Sequence, residues 1–465
     1  MSFTKKTTDK FGSVFAKADW VSDEPIVDIQ YEAKGKNIIF GRQIKDEDFS
    51  NLLYLGKCIE RSPGTSYLDH DSWLDTTFPH VIYITGTRGS GKSFDLGVIL
   101  EGISELNDKS LVQNDVEPIT SFLIDTQSQF WTLQYEPNKN IPENKQQLEM
   151  LKKWNIPANS LKNCILYIPK GHEKITGKEK EFQLSCDSIE QEEWCSLIGE
   201  EPYSPQGHIL SVLIEELKNN FSIKDMIAYL KDEDLTADFN KNSLESLTYK
   251  LYDLEKTNLF AAVGMDIKSM IKPNTSNIFM LRSLNKDVDK SLVAGIVARQ
   301  LFTIMGEYQN KKKVGAFFEK KMDMEELPNK VWLLIDEAHV IAPSTGSSPA
   351  KSALIQYVKR GRDAGLSLVL ATQQPSAVDD QILGQVNISL SHRLTFESDI
   401  EACRKRIPTK PTKNISFRGT KLKDMSDSLR LLKAGECFVG DHHTSRTVLI
   451  SVRPRITSHG GYSPK

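Results

Sequence analysis

The sequence predicts an α/β protein, and three observations carry that prediction. Short apolar runs of strand length recur from His80 onward, helical stretches separate them, and the first run ends in a glycine-rich turn, GTRGSGKS, that opens a helix. Continuous apolar strands alternating with helices are the pattern of a parallel sheet covered on both faces.

The strands expected, in order, are HVIYITG (80–86), ITSFLIDT (119–126), NCILYIP (163–169), SNIFMLRSL (276–284), KVWLLIDEA (330–338), LSLVLATQ (366–373) and VNISLSHRLT (386–395). After the first strand, Leu96, Ile99, Leu100, Ile103 and Leu106 recur at helical spacing. DVDKSLVAGIVARQLFTIMGEYQ (287–309) reads as a second long helix, and NKKKVGAFFEKK (310–321) as a solvated basic connection. Strand signals stop between 172 and 272, where runs such as DSIEQEEWCSLIG and QGHILSVLIEELKNN point to a helical insertion. Residues 1–78 read as a small β-rich module with strands at EPIVDIQYEA and KNIIFG; SNLLYLGKCIE fits strand or helix. Near the end, ECFVGDHHTSRTVLISV reads as a β-hairpin and RPRITSHGGYSPK as an irregular tail.

Composition bounds the function. Apolar residues are 39% and charged residues 26% of 465, a globular balance, and no apolar run approaches the ~20 residues of a membrane helix. Net charge is −3, so any nucleic-acid contact has to come from a local basic surface. The polar start MSFTKKTTDKFGS lacks the apolar core of a secretory signal. Six scattered cysteines without a CxxC pair argue against a disulfide framework or zinc site, and for a reducing cytoplasm.

The turn Gly86, Thr87, Arg88, Gly89, Ser90, Gly91, Lys92, Ser93 fits GxxxxGK[ST] with the required strand before and helix after. Its backbone N–H groups and the helix N-terminus would cradle phosphates, Lys92 would reach the β/γ-phosphates of ATP, and the Ser93 hydroxyl would face Mg²⁺. VWLLIDEAH supplies acids at a strand end: Asp336 to hold Mg²⁺ through water, and Glu337 to orient and deprotonate an attacking water. Thr372 and Gln373 end the next strand, where a polar side chain senses the γ-phosphate or positions water. Asp125 closes SFLID and reads equally as an assistant to Mg²⁺ or as a helix cap.

Lys92 and Asp336 are 244 residues apart (336 − 92), and 129 residues follow Asp336 (465 − 336). That is too few for the second motor domain that DEAH would suggest. A single-core motor borrows a charge-stabilising arginine from a neighbour, which implies a ring. Arg360 and Arg362, in YVKRGRDAG, are candidates within their own subunit or across an interface; the alternative is surface charge at a helix end. Arg393 is a weaker candidate.

The ordered set GTRGSGKS, LLIDEAH, KRGRDAG, LATQQPSAVDDQILGQVNISLSHRL and HGG resembles the HerA branch of the HerA/FtsK ring ATPases over about residues 79–461. The resemblance implies a RecA-like P-loop ATPase core, residues 79–171 and 273–465, with a helical insertion at 172–272 and a C-terminal brace. It implies a homo-hexamer that hydrolyses ATP with Mg²⁺ and moves double-stranded DNA through its channel beside a nuclease. Lys92, Asp336, Glu337 and Gln373 would carry hydrolysis, served by Arg360 and Arg362. His459 and Gly460 of HGG would reach toward nucleotide or a neighbouring subunit. Chains of this length are similar to ATPases paired with nuclease or Sir2-like effectors in antiphage defence. QQP stands here where an arginine often follows the glutamine.

Residues 402–423, ACRKRIPTKPTKNISFRGTKLK, hold eight Lys/Arg and no acid, a run that fits a DNA channel or a solvated loop. A different class of function stays open beside the motor: an ATP-binding regulatory scaffold that assembles and gates an effector without processive movement along DNA.

Overall fold

The computed structural model describes residues 35–460 apart from 43–48, 60, 63–64, 67–68, 108–110, 321–323, 407–414, 418–419 and 423–424. One fourteen-stranded sheet organises the described residues. Thirteen strands lie on its main path: β1 (Asn37–Phe40), β2 (Leu52–Cys58), β3 (Asp71–Asp75), β4 (Val81–Thr85), β5 (Ile119–Asp125), β6 (Cys164–Pro169), β7 (Lys180–Phe182), β8 (Ser276–Met280), β9 (Lys330–Ile335), β10 (Leu366–Thr372), β11 (Ile388–Ser391), β12 (Glu436–Asp441) and β13 (Arg446–Val452). Their spatial order is β1-β3-β2-β13-β12-β11-β4-β10-β9-β5-β8-β6-β7.

From β11 to β7 every pairing is parallel. The seven expected strands all lie in this block, rich in apolar residues and almost wholly buried on both faces. Successive residues feed opposite cores: Ile82, Ile84, Leu123, Trp332 and Leu334 face one, and Tyr83, Phe122, Ile124, Leu333 and Ile335 the other. The P-loop helix α1 (Lys92–Ile103) packs in the first core. The long helix α2 (Asp287–Phe317) and helix α3 (Pro349–Arg360) pack in the second.

The hairpin β12–β13 joins β11 antiparallel, and β13 in turn pairs with β2. The early strands β1–β3 therefore extend the same sheet rather than standing apart, and SNLLYLGKCIE resolves as strand. EPIVDIQYEA lies outside the described residues. Between 172 and 272 four helices of eight to fifteen residues dominate, at Gln191–Ile198, Pro205–Leu217, Ile223–Leu230 and Lys241–Glu255. They rest on the α2 side, where Arg299 of α2 pairs with Glu193 at 2.7 Å.

One expectation fails. The basic stretch 310–321 does not act as a connection at its start, because α2 continues through it to Phe317. Lys, Ala and Phe sustain a helix there, while Lys311–Lys313 remain exposed.

Candidate nucleotide and hydrolysis site

Parallel register brings the motifs to one end of the sheet. β4 pairs with β10 (Thr85 opposite Thr372), β10 with β9 (Leu370 opposite Ile335), and β9 with β5 (Ile335 opposite Ile124). The residues that follow these strands, Gly86–Ser93, Asp336–Glu337, Gln373 and Asp125 at its strand end, therefore converge although 287 positions separate Gly86 from Gln373 (373 − 86).

The P-loop turns back on itself. The Thr87 carbonyl accepts the Ser90 hydroxyl at 2.7 Å and Lys92 Nζ at 3.1 Å, and Gly91 sits at φ +132°, where a side chain would be strained. Burial lowers the Lys92 pKa, and the charges of Glu337, Asp336 and Asp95 oppose that shift. Arg393 contributes its backbone, with its carbonyl accepting the Thr87 N–H at 2.8 Å.

Asp336 is 1% exposed. Burial first, then the charges of Glu337 and Asp125, push its pKa up to about 8, against the pull of Lys92. Its Oδ2 is buried without a hydrogen-bond partner, and its Oδ1 lies 3.5 Å from Ser93 Oγ. An orphaned carboxylate oxygen beside a serine hydroxyl is an oxygen donor set that suits a hydrated divalent cation such as Mg²⁺.

Glu337 caps the short helix Ala338–Ile341 from φ +53°, a left-handed conformation that costs energy outside glycine. Gln373 Nε2 donates to Glu337 Oε1 at 2.9 Å. Asp125 is committed to structure: its carboxylate accepts the backbone N–H groups of Phe130 (2.9 Å) and Gln127 (3.2 Å). Burial raises its pKa to about 6 despite those bonds.

Arg360 and Arg362 are not near this group. They precede β10, whose first residues pair beside Val81 while its last pair beside Thr85. Six residue steps at about 3.3 Å place them roughly 20 Å from their own P-loop, exposed at the opposite end of the strands. Arg362 there lines a cavity of about 320 Å³ with Pro79, His80 and Asn387.

The tail is irregular yet buried, and sequence reasoning missed why. Glu101 of α1 accepts Arg453 Nη1 at 2.7 Å, Arg455 Nε at 3.4 Å and the Thr457 backbone N–H at 3.0 Å, all fully buried. Gly97 makes room, since a Cβ there would lie 2.6 Å from Arg455 Nε. The tail is thereby fixed to the P-loop helix, and the His459 ring packs edge-on against Phe94, next to Ser93. Burial, with Arg455 adding to it, pushes His459 down to about 3. Gly460 lies against the Gln129 carbonyl, and Gly461 falls outside the described residues.

His392 was also missed beside Arg393. It lies under the P-loop, bonded to Asp95 Oδ2 at 2.7 Å and to the Glu436 carbonyl at 3.0 Å. Asp95, His392 and Cys437 are close enough to share a cation, but both imidazole nitrogens already have partners. A buried His paired with a helix carboxylate has no local sequence signal; only its position one residue after a strand hinted at it.

A parallel sheet with a phosphate loop on one strand and acids ending another defines a P-loop ATPase core. The chain belongs to the HerA helicase central-domain family, whose model matches residues 53–301. It is 24% identical over 231 residues to the DNA double-strand break repair helicase HerA of Sulfurisphaera tokodaii, covering 49% of this chain and 42% of that protein. To its counterpart in Saccharolobus solfataricus it is 21% identical over 377 residues, 78% and 62% of the two chains. The chain thus spans less than two thirds of the length of these relatives. Among solved structures it is similar to VirB4 of Thermoanaerobacter pseudethanolicus (TM-score 0.48, 14% identity, 87% and 97% covered) and to the conjugative coupling protein TrwB (0.47, 13%, 83% and 86%). Among the described residues no helix is long and apolar enough to cross a membrane.

Proposed function

We propose that this chain is an ATP-hydrolysing motor that works as a homo-hexameric ring on double-stranded DNA. One observation carries the reading: Lys92, Ser93, Asp336, Glu337 and Gln373 gather at one end of the sheet, while Arg360 and Arg362 stand exposed at the other. A protomer cannot fold those arginines onto its own nucleotide, whereas head-to-tail neighbours in a ring place one end against the other.

In the proposed cycle Lys92 leaves the Thr87 carbonyl for the β/γ-phosphates. Ser93 and Asp336 would hold Mg²⁺, which would neutralise phosphate charge when bound. Glu337, oriented by Gln373, takes the proton of the attacking water. Arg360 or Arg362 of the adjacent subunit stabilises the charge on the transferred phosphoryl group. His459 and Gly460 brace the P-loop helix from the tail.

DNA contact is assigned to the basic run. Arg404 and Lys405 are exposed at its start, and 407–414 lie outside the described residues. Such a run contacts phosphates without reading sequence. A nuclease or Sir2-like effector in antiphage defence is the proposed partner, on the strength of motif order, and the proposed compartment is the cytoplasm.

The test is ATP turnover and native mass, with and without duplex DNA, at two salt concentrations. A hexamer stimulated by DNA at low salt supports the motor. A hexamer indifferent to DNA replaces it with the gating scaffold. Glu337→Ala is expected to bind ATP normally and to lose turnover by about 10²–10⁴-fold; normal turnover by this variant would remove Glu337 as the base.

A further inference from the structure

The turn that carries Glu337 is held by a second bond. Thr372, fully buried at the end of β10, accepts the Gln374 backbone N–H on its hydroxyl at 3.0 Å. The same oxygen lies 3.0 Å from His339 Nδ1. Among the described residues these are the hydroxyl's two partners; the first is a donor, and the buried hydroxyl's own proton finds an acceptor only if His339 Nδ1 takes it. The imidazole is therefore the tautomer with its hydrogen on Nε2. Its Nδ1 lone pair is occupied, and it has no proton to offer Glu337 Oε2, 3.5 Å away. That oxygen is buried without a hydrogen-bond partner, while Oε1 is held by Gln373.

We infer that His339 is a positioning residue for hydrolysis: by accepting the Thr372 hydroxyl it pins the acidic turn to the tip of β10 and leaves Glu337 Oε2 free for the attacking water. The inference rests on the hydrolysis reading above. Two bonds side by side, Thr372 to His339 and Gln373 to Glu337, join the last residue of β10 and the one after it to the turn. They offset the cost of the left-handed Glu337 backbone. A protonated imidazole would reverse the arrangement, donating Nδ1–H to Glu337 and covering the base. Burial disfavours that form and lowers the His339 pKa; the charges of Glu337 and Asp287 oppose the shift, and Lys92 adds to it.

The experiment is steady-state ATP turnover of the full chain with His339→Ala, His339→Asn, Thr372→Val and the His339→Ala/Thr372→Val pair, with folding checked by melting. A lost hydrogen bond that orients a base is expected to lower kcat about tenfold, with KM and the Kd of a fluorescent ATP analogue unchanged. The double variant should be no worse than the worse single one, which is Thr372→Val because it also loses the Gln374 bond. His339→Asn, whose Oδ1 can stand in for Nδ1 as acceptor, should recover most of the loss. It should also lack any decline in kcat at acid pH that comes from imidazolium formation. Full turnover by His339→Ala, additive losses in the pair, or an Asn variant as poor as Ala would each overturn the assignment. If wild type does not turn over, the hydrolysis reading fails and takes this inference with it. If Glu337→Ala is dead while His339→Ala is fully active, only this inference fails.

Discussion

Two of the chain's three Arg-x-Arg pairs have opposite fates. In KRGRD, Arg360 ends a helix and Arg362 lies in the turn after it, both exposed at the far end of the strands. In RPRIT, Arg453 and Arg455 are 0% and 1% exposed and close on one carboxylate, Glu101. The first pair spends nothing on its own fold and is available to a neighbour. The second is so fully paired that it serves only to lock the tail on the P-loop helix. Charge spacing in sequence does not distinguish them; surroundings do.

The sharpest way to break this comparison is to remove both exposed arginines. Arg360→Ala/Arg362→Ala should lower ATP turnover by about 10³-fold or more, if one of them is the charge-stabilising group. Stability should stay within about 0.5 kcal/mol by denaturant titration. Mixing this variant with Glu337→Ala should restore some activity, because mixed interfaces contain intact sites. No rescue at any ratio would leave the far-end arginines without a role in a neighbour's site.

Next in size is the buried pair. Glu101→Ala strands two desolvated guanidinium groups and should cost about 3–5 kcal/mol of stability, with the loss of turnover tracking unfolding. A variant that melts like wild type would show that the tail is not fixed by this cluster.

A smaller effect of opposite sign is expected at Asp336. Its folded pKa of about 8 lies above the usual 3.8, so the folded protein holds a proton that the unfolded chain releases. Stability from this group is full below pH 4 and is lost as pH rises toward 8. Asp336→Asn should therefore raise the melting temperature at pH 8 by a few degrees, on the order expected for one to two kcal/mol, and abolish turnover. The gain should vanish near pH 4. Mg²⁺ with nucleotide should stabilise wild type more than this variant.

Much of the frame is legible without coordinates. Strand-length apolar runs favour burial on both faces, and a glycine turn between strand and helix is a ready anion site, so the α/β core and the reading of Gly86–Ser93 follow from local chemistry. The acids after VWLLI are readable for the same reason, since strand ends in such sheets carry ligands. Glu101, His392 and His339 carry no such signal, because their roles depend on partners 352, 297 and 33 positions away in the chain. The NKKKV stretch misled because lysines suit an exposed helix as well as a loop.

By itself, then, the sequence determined the kinds of element and the chemistry at each strand end, because both depend on residues within a turn or two of one another. Tertiary structure alone decided which strand ends share a site. It set Thr85 opposite Thr372 and Ile335 opposite Leu370, sent Arg360 and Arg362 to the opposite end of the strands, and buried Arg453 and Arg455 on Glu101. Strand order and direction are collective properties of the packed sheet, and no single segment encodes them.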